Sequence, residues 1–115
     1  MKISEIHKEK GKSLSFEIFP PKKDSELKNI DETLAVLCEL KPDFISVTFG
    51  AGGSGNGENT LAIARRLKER YGVLPMAHLP CIHYNKAQID QILEQFQENG
   101  IENILALRGD RVEGL

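Results

Sequence analysis

The residues best equipped for chemistry in this 115-residue chain are Glu17, Thr48, His78 and Arg108, each close to the end of a short apolar segment. Glu17 lies between Phe16 and Ile18, just ahead of Phe19-Pro20-Pro21. A carboxylate in apolar surroundings loses hydration, which favours its protonated form and suits it to deliver a proton. The plainer reading is a solvent-facing glutamate on an edge strand, or one paired with Arg108 across a sheet. Arg108-Gly109-Asp110 combines a fork of fixed donors, a glycine that tolerates close approach and a carboxylate. Its plainer reading is a turn with a local Arg–Asp pair; an adhesion role would need secretion, which nothing in the sequence suggests.

Two other patterns invite stronger readings than they support. Gly50-Ala-Gly-Gly-Ser-Gly55 matches G-x-G-x-x-G between a strand and a helix, the position of a dinucleotide-binding turn. It follows the second strand, however, and the next strand ends in His78, where a ribose-binding carboxylate belongs. Glycines at 50, 52, 53, 55 and 57 produce such a match easily, and the segment reads better as a loop whose backbone can approach a ligand. It also lacks the Gly-Lys-Ser/Thr ending of a Walker phosphate loop. His78-x-x-Cys81-x-His83 is not a common zinc spacing, and no second cysteine pair or carboxylate completes it. His78 is expected to contact a ligand by hydrogen bonding, and no metal is expected.

What must position these residues is a set of strands predicted over 13–19, 43–48, 74–78 and 103–108. Side chains alternate faces along a strand. Leu14, Phe16 and Ile18 oppose Ser15 and Glu17; Ile45 and Val47 oppose Ser46 and Thr48; Ala77 and Leu79 oppose Met76 and His78; Leu105 and Leu107 oppose Ala106 and Arg108. Glu17, Thr48, His78 and Arg108 are thereby expected on one face, near the carboxyl ends of their strands, where parallel α/β folds place ligands.

Apolar residues at helical spacing predict helices over 24–40, 58–71 and 85–99. Asp24 or Ser25 can cap the first, and Asn85 with Gln88 forms a capping-box spacing for the third. Gly72 and Gly100 are expected to stop the second and third. The order β-α-β-α-β-α-β with short links implies right-handed crossovers and a parallel sheet. That pattern fits the first half of a (β/α)8 TIM barrel, and also part of a doubly wound sheet. A complete barrel needs ~250 residues, so 1–115 is expected to be a single half-barrel segment with no helix after its fourth strand.

Bulk properties narrow the class. Charged residues make up 28%, the hydrophobic set 40%, and the formal net charge is −2, so no basic stripe points to nucleic acid. Cys38 and Cys81 do not form a disulfide framework, and reduced cytoplasmic thiols are expected. No apolar run approaches the ~20 residues of a membrane span, and residues 1–10 contain no signal-peptide core.

Taken together, Ser15-Phe-Glu-Ile-Phe-Pro-Pro21, Leu40-Lys-Pro-Asp-Phe-Ile-Ser-Val-Thr-Phe-Gly-Ala51, Ala77-His-Leu and Ile101-Glu-Asn-Ile-Leu-Ala-Leu-Arg-Gly-Asp110 resemble the methylenetetrahydrofolate reductase family. The resemblance covers nearly the whole chain in the family's order and spacing. It implies a flavin-containing barrel that reduces 5,10-methylenetetrahydrofolate to 5-methyltetrahydrofolate, with NADH or NADPH reducing FAD first. Glu17 matches the acid that protonates the substrate's five-membered ring. Thr48, Phe49 and Ala51 match the strand tip and loop that meet flavin and the stacked nicotinamide or folate. His78, Arg108, Gly109 and Asp110 match FAD contacts, and Asp110 also matches the carboxylate near pterin and flavin. Glu17, Thr48 and Asp110 are thus the implied substrate contacts.

The sequence departs from the family pattern at Pro80, where threonine is usual, and at Arg111, where proline is frequent. The remaining FAD and folate contacts belong to a second half, so activity is expected of a complete barrel and not of 115 residues alone. Two other readings are a half-barrel that binds flavin or nucleotide weakly without catalysis, or acts as an assembly partner, and an independent dinucleotide-binding domain. Exposed sheet edges would favour self-association or a homo-oligomer.

Overall fold

In the computed structural model, residues 1–21, 29–49, 58–82 and 84–110 are described. The elements run α1 (Ile3–Lys10), β1 (Ser15–Ile18), α2 (Ile30–Glu39), β2 (Phe44–Val47), α3 (Glu58–Glu69), β3 (Leu74–Pro80), α4 (Lys86–Glu98) and β4 (Asn103–Leu107). The strands form one parallel sheet ordered β1-β2-β3-β4.

Alternation along the strands decides where the core forms. Ile18, Val47 and Ala77 align across the first three strands, and Ile104 continues the row on β4. This face carries both core clusters. Ile18, Ile45 and Val47 pack with Leu34 of α2 and Ile63 and Leu67 of α3. Ala77 and Leu79 pack with Ala64 of α3 and Ile92 and Phe96 of α4. Leu34, Ile45, Val47, Ile63 and Leu67 are fully buried, each contributing about 1.5–3 kcal/mol of transfer free energy. With α2, α3 and α4 on one face and sequential strand order, the sheet has no doubly wound switch point. The arrangement is that of consecutive βα units in a (β/α)8 barrel, and it removes the independent dinucleotide-binding domain from consideration.

The opposite face holds the row Glu17, Ser46, Met76 and Asn103, and the pairs His78–Leu105 and Pro80–Leu107. This corrects the expected orientation of the fourth strand. Leu105 and Leu107 share the face of Glu17 and His78, while Ala106 has the parity of the helix-covered side. Arg108 follows the end of β4 at that same outer parity, so alternation does not bring it to Glu17. Leu105 and Leu107 are 37% and 38% exposed on the inner face.

The helix termini follow local chemistry. Asn85 Oδ1 accepts the Gln88 N–H at 2.8 Å while Gln88 Oε1 accepts the Asn85 N–H at 2.9 Å, the expected capping box. Gly72 and Gly100 take the left-handed conformation after α3 and α4, with φ of 65° and 73°. The described part of α2 begins at Ile30, and Asp24 and Ser25 lie outside the described residues.

Helix α1 was not anticipated by the periodicity. Only Ile6 among its residues is buried, and its amino end has no side-chain cap. Tertiary contacts hold it instead. Asn103 Oδ1 accepts the Ile3 N–H and its Nδ2 donates to the Met1 carbonyl, both at 3.0 Å. The Met1 ammonium pairs with Glu102 at 2.8 Å. Asp43 accepts from Lys10 Nζ and from the Leu14 N–H. These contacts attach α1 to the amino-terminal end of the sheet. Among the described residues, no helix is long and apolar enough to cross a membrane.

Candidate active site

The carboxyl end of the sheet brings together Glu17, Ser46 and His78. Glu17 and Ser46 are register partners on β1 and β2, and His78 stands two residues beyond Met76, which extends the same row onto β3. Ser46 Oγ donates to Glu17 Oε1 at 3.0 Å. His78 Nε2 lies 3.1 Å from the same oxygen. That separation suits an ion pair, but the ring is not aligned for a hydrogen bond, and Nε2 is buried without a hydrogen-bond partner among the described residues. Ser46 and His78 are buried, at 5% and 7% exposure, whereas the Glu17 side chain is 49% exposed. Among the described residues, the apolar flanks of Glu17 therefore do not enclose it. Phe16 and Ile18 point to the helix side and leave the carboxylate on an open face.

The tip of β2 is fixed from both sides. The Thr48 N–H donates to the Ile18 carbonyl at 3.0 Å, and the Thr48 carbonyl accepts from Thr60 Oγ1 at 2.9 Å. Thr60 is 1% exposed, so the start of α3 is pinned to the strand end. The Phe49 ring turns into the core, meeting Tyr84 edge-on at a centroid distance of 6.0 Å. Burial there pushes the Tyr84 hydroxyl above its ordinary range. Ala51 and the glycine-rich loop 50–57 lie outside the described residues, as does His83.

The end of β4 remains linked to β3 beyond the strand itself. The Cys81 N–H donates to the Leu107 carbonyl and the Ile82 N–H to the Arg108 carbonyl, both at 2.8 Å. Arg108 is exposed, and its Nε donates to the Gly109 carbonyl at 3.1 Å. Among the described residues it forms an ion pair with neither Asp110 nor Glu17; Glu17, half-exposed on the edge strand β1 as one plainer reading expects, rests on Ser46 and His78 instead of Arg108. Gly109 has φ of 88°, and a Cβ there would come within 2.8 Å of the Pro80 Cβ. Only glycine fits this turn, which keeps the Arg108–Asp110 backbone close to β3. Asp110 is exposed.

Cys81 donates its thiol to the Leu79 carbonyl at 3.4 Å. Among the described residues, no group of three or more His, Cys, Asp and Glu side chains is placed to hold a metal ion. Ser46 and Thr60 are the site-forming residues that motif reading passed over. Ser46 carried a signal, since it is a hydroxyl on an apolar strand with the parity of Glu17. Thr60 carried none beyond its helix.

A family model described as Methylenetetrahydrofolate reductase matches residues 2–115. The chain is similar to Methylenetetrahydrofolate reductase (NADH) 1 of Arabidopsis thaliana, 40% identical over 113 residues, covering 98% of this chain and 19% of that protein. It is 40% identical over 98 residues to 5,10-methylenetetrahydrofolate reductase of Pectobacterium carotovorum, covering 85% of this chain and 33% of that protein. It is 37% identical over 102 residues to the Escherichia coli protein of the same name, covering 89% and 34% respectively. It thus spans about a fifth to a third of the length of these relatives. The matched range, residues 2–115, includes the strand tips that carry Glu17, Ser46, Thr48, His78 and Arg108, and the chain belongs to the methylenetetrahydrofolate reductase family.

Proposed function

We propose that this chain forms the proton-delivering side of an enzyme that reduces 5,10-methylenetetrahydrofolate to 5-methyltetrahydrofolate with NADH or NADPH. The observation that supports this reading best is the Glu17 carboxyl, held by Ser46 and facing His78, on the sheet face opposite the one that the described helices α2, α3 and α4 cover. Opening the methylene bridge requires a proton at one ring nitrogen as its bond to the bridging carbon breaks. Glu17 is the acid at the carboxyl end of the sheet with one side open to a substrate. Asp110 adds a carboxylate at the same end, where negative charge would stabilise the iminium cation left on the substrate.

The residues present also fit a flavin. His78 Nε2 is a buried polar atom lacking a partner among the described residues. Arg108 offers an exposed guanidinium suited to phosphate, and Gly109 closes a turn that a side chain would block. Leu105 and Leu107 offer partly exposed apolar surface on the inner face. Thr48, Ala51, His78, Arg108, Gly109 and Asp110 are the proposed FAD contacts, with Phe49 contributing its backbone because its ring is turned into the core. When bound, FAD would supply hydride chemistry that no side chain here possesses.

The test is Glu17→Gln in a reductase that carries this segment within a complete barrel. Folate reduction should fall by about 100- to 10,000-fold, the usual worth of a positioned acid, while NAD(P)H oxidation by an artificial electron acceptor persists. Folate turnover near the wild-type rate would contradict the assignment of Glu17.

A further inference from the structure

We propose that Ser46 is a positioning residue for the Glu17 carboxyl, fixing Oε1 beside His78 so that Oε2 is the oxygen presented to substrate. This rests on Glu17 being the acid, and it deepens that reading by assigning the two oxygens different tasks. Ser46 Oγ donates to Oε1 at 3.0 Å, and His78 Nε2 stands 3.1 Å from Oε1. No described residue hydrogen-bonds Oε2.

The hydroxyl has little alternative. Ser46 is 5% exposed, in the middle of the sheet, and its register neighbour on β3 is Met76, a thioether that accepts hydrogen bonds weakly. A buried hydroxyl costs stability unless it is bonded. The carboxylate of Glu17 is the partner that the parallel register places beside it. The same pairing restrains Glu17, whose half-exposed side chain would otherwise sample several rotamers.

The proton balance shows why this matters. The Oε2–H bond breaks and its electron pair stays on Glu17, while the nitrogen lone pair of the substrate takes the proton. The carboxylate that remains spreads its charge onto Oε1, where the Ser46 hydroxyl already donates. A hydrogen bond to an ionised carboxylate is stronger than one to the neutral acid. Ser46 therefore stabilises the state after transfer more than the state before it, the condition for a faster chemical step.

The test compares Ser46→Thr with Ser46→Val in a reductase containing this segment. The two side chains share a branched shape that suits a strand, and they differ in the hydroxyl. The threonine variant should exceed the valine variant by about 10- to 100-fold in kcat for folate reduction, with KM for the folate changed by less than about threefold. Thermal melting of both variants without ligand separates this from a folding defect. If branching at position 46 is not tolerated, Ser46→Ala against wild type answers the same question. Equal kcat with and without the hydroxyl, in folded protein, would overturn the role of Ser46 while leaving Glu17 as the acid. High folate turnover in Glu17→Gln would instead overturn the reading on which it rests.

Discussion

The two ends of the parallel sheet treat their polar groups in opposite ways. At the amino end, Asn103 is buried and both ends of its amide are occupied, one by the Ile3 N–H and the other by the Met1 carbonyl. At the carboxyl end, His78 is equally buried and its Nε2 has no hydrogen-bond partner among the described residues. Charges divide in the same way. Asp43 and Glu102 are paired with Lys10 and the Met1 ammonium, whereas Glu17, Arg108 and Asp110 remain partly or largely open. A polar group that is satisfied contributes to stability; one left without a partner costs stability unless a ligand supplies the bond. The amino end is built to hold the sheet, and the carboxyl end is built to meet something else, as in barrel enzymes generally.

The largest effect that could break this comparison concerns the open inner face. β1 and β4 are the edges of the sheet, and no described strand pairs with the outer side of either. Leu105 and Leu107 add exposed apolar surface beside them. The 115-residue chain alone should therefore self-associate, read by light scattering as a mass above that of one chain, and Leu107→Lys should reduce the association. A monodisperse monomer with a fully cooperative melt would show that the face needs no cover.

The next effect belongs to the amino end. Asn103→Ala leaves the Ile3 N–H and the Met1 carbonyl without their partner, and should destabilise the fold by about 2 kcal/mol in denaturant titration. No measurable loss would mean that α1 is not fixed by this residue.

The smallest effect sharpens the electrostatic half of the contrast. Lys10 and the Leu14 N–H, both bonded to Asp43, hold its carboxyl below the usual carboxylate range. A depressed carboxylate stabilises the fold above its unfolded-state titration, near pH 4, and that contribution is lost as pH falls through the folded-state value. Asp43→Asn should lower the melting temperature slightly at pH 7, with the difference from wild type closing below about pH 4. A difference that is independent of pH would assign the effect to packing.

How far this division could be read from the sequence differs strand by strand. β1, β2 and β3 alternate visibly, so Ile18, Val47 and Ala77 could be assigned to the core and Glu17, Ser46 and His78 to the other face. β4 reads Asn-Ile-Leu-Ala-Leu, apolar at nearly every step, and its face is not fixed by its own residues. It is anchored by Asn103, whose amide bonds the chain at Met1 and Ile3. That anchor depends on α1, a helix with one buried residue and no capping side chain, which periodicity cannot detect. The missed helix and the inverted fourth strand are thus one omission. The site was legible where a polar residue interrupted an apolar strand, as at Glu17 and His78. Nothing local distinguished Thr60, whose role arises only when α3 folds back onto the tip of β2.

The most direct test sets one residue from each end side by side: Glu17→Gln and Asn103→Ala in the same complete reductase, each measured for kcat and for stability. The expected result is a crossing. Glu17→Gln loses about 100-fold or more in folate reduction with stability within about 0.5 kcal/mol of wild type. Asn103→Ala loses about 2 kcal/mol of stability while its folded fraction turns over at the wild-type rate. Near-normal turnover in Glu17→Gln, or a slowed chemical step in folded Asn103→Ala, would contradict the separation of a holding end from a reacting end.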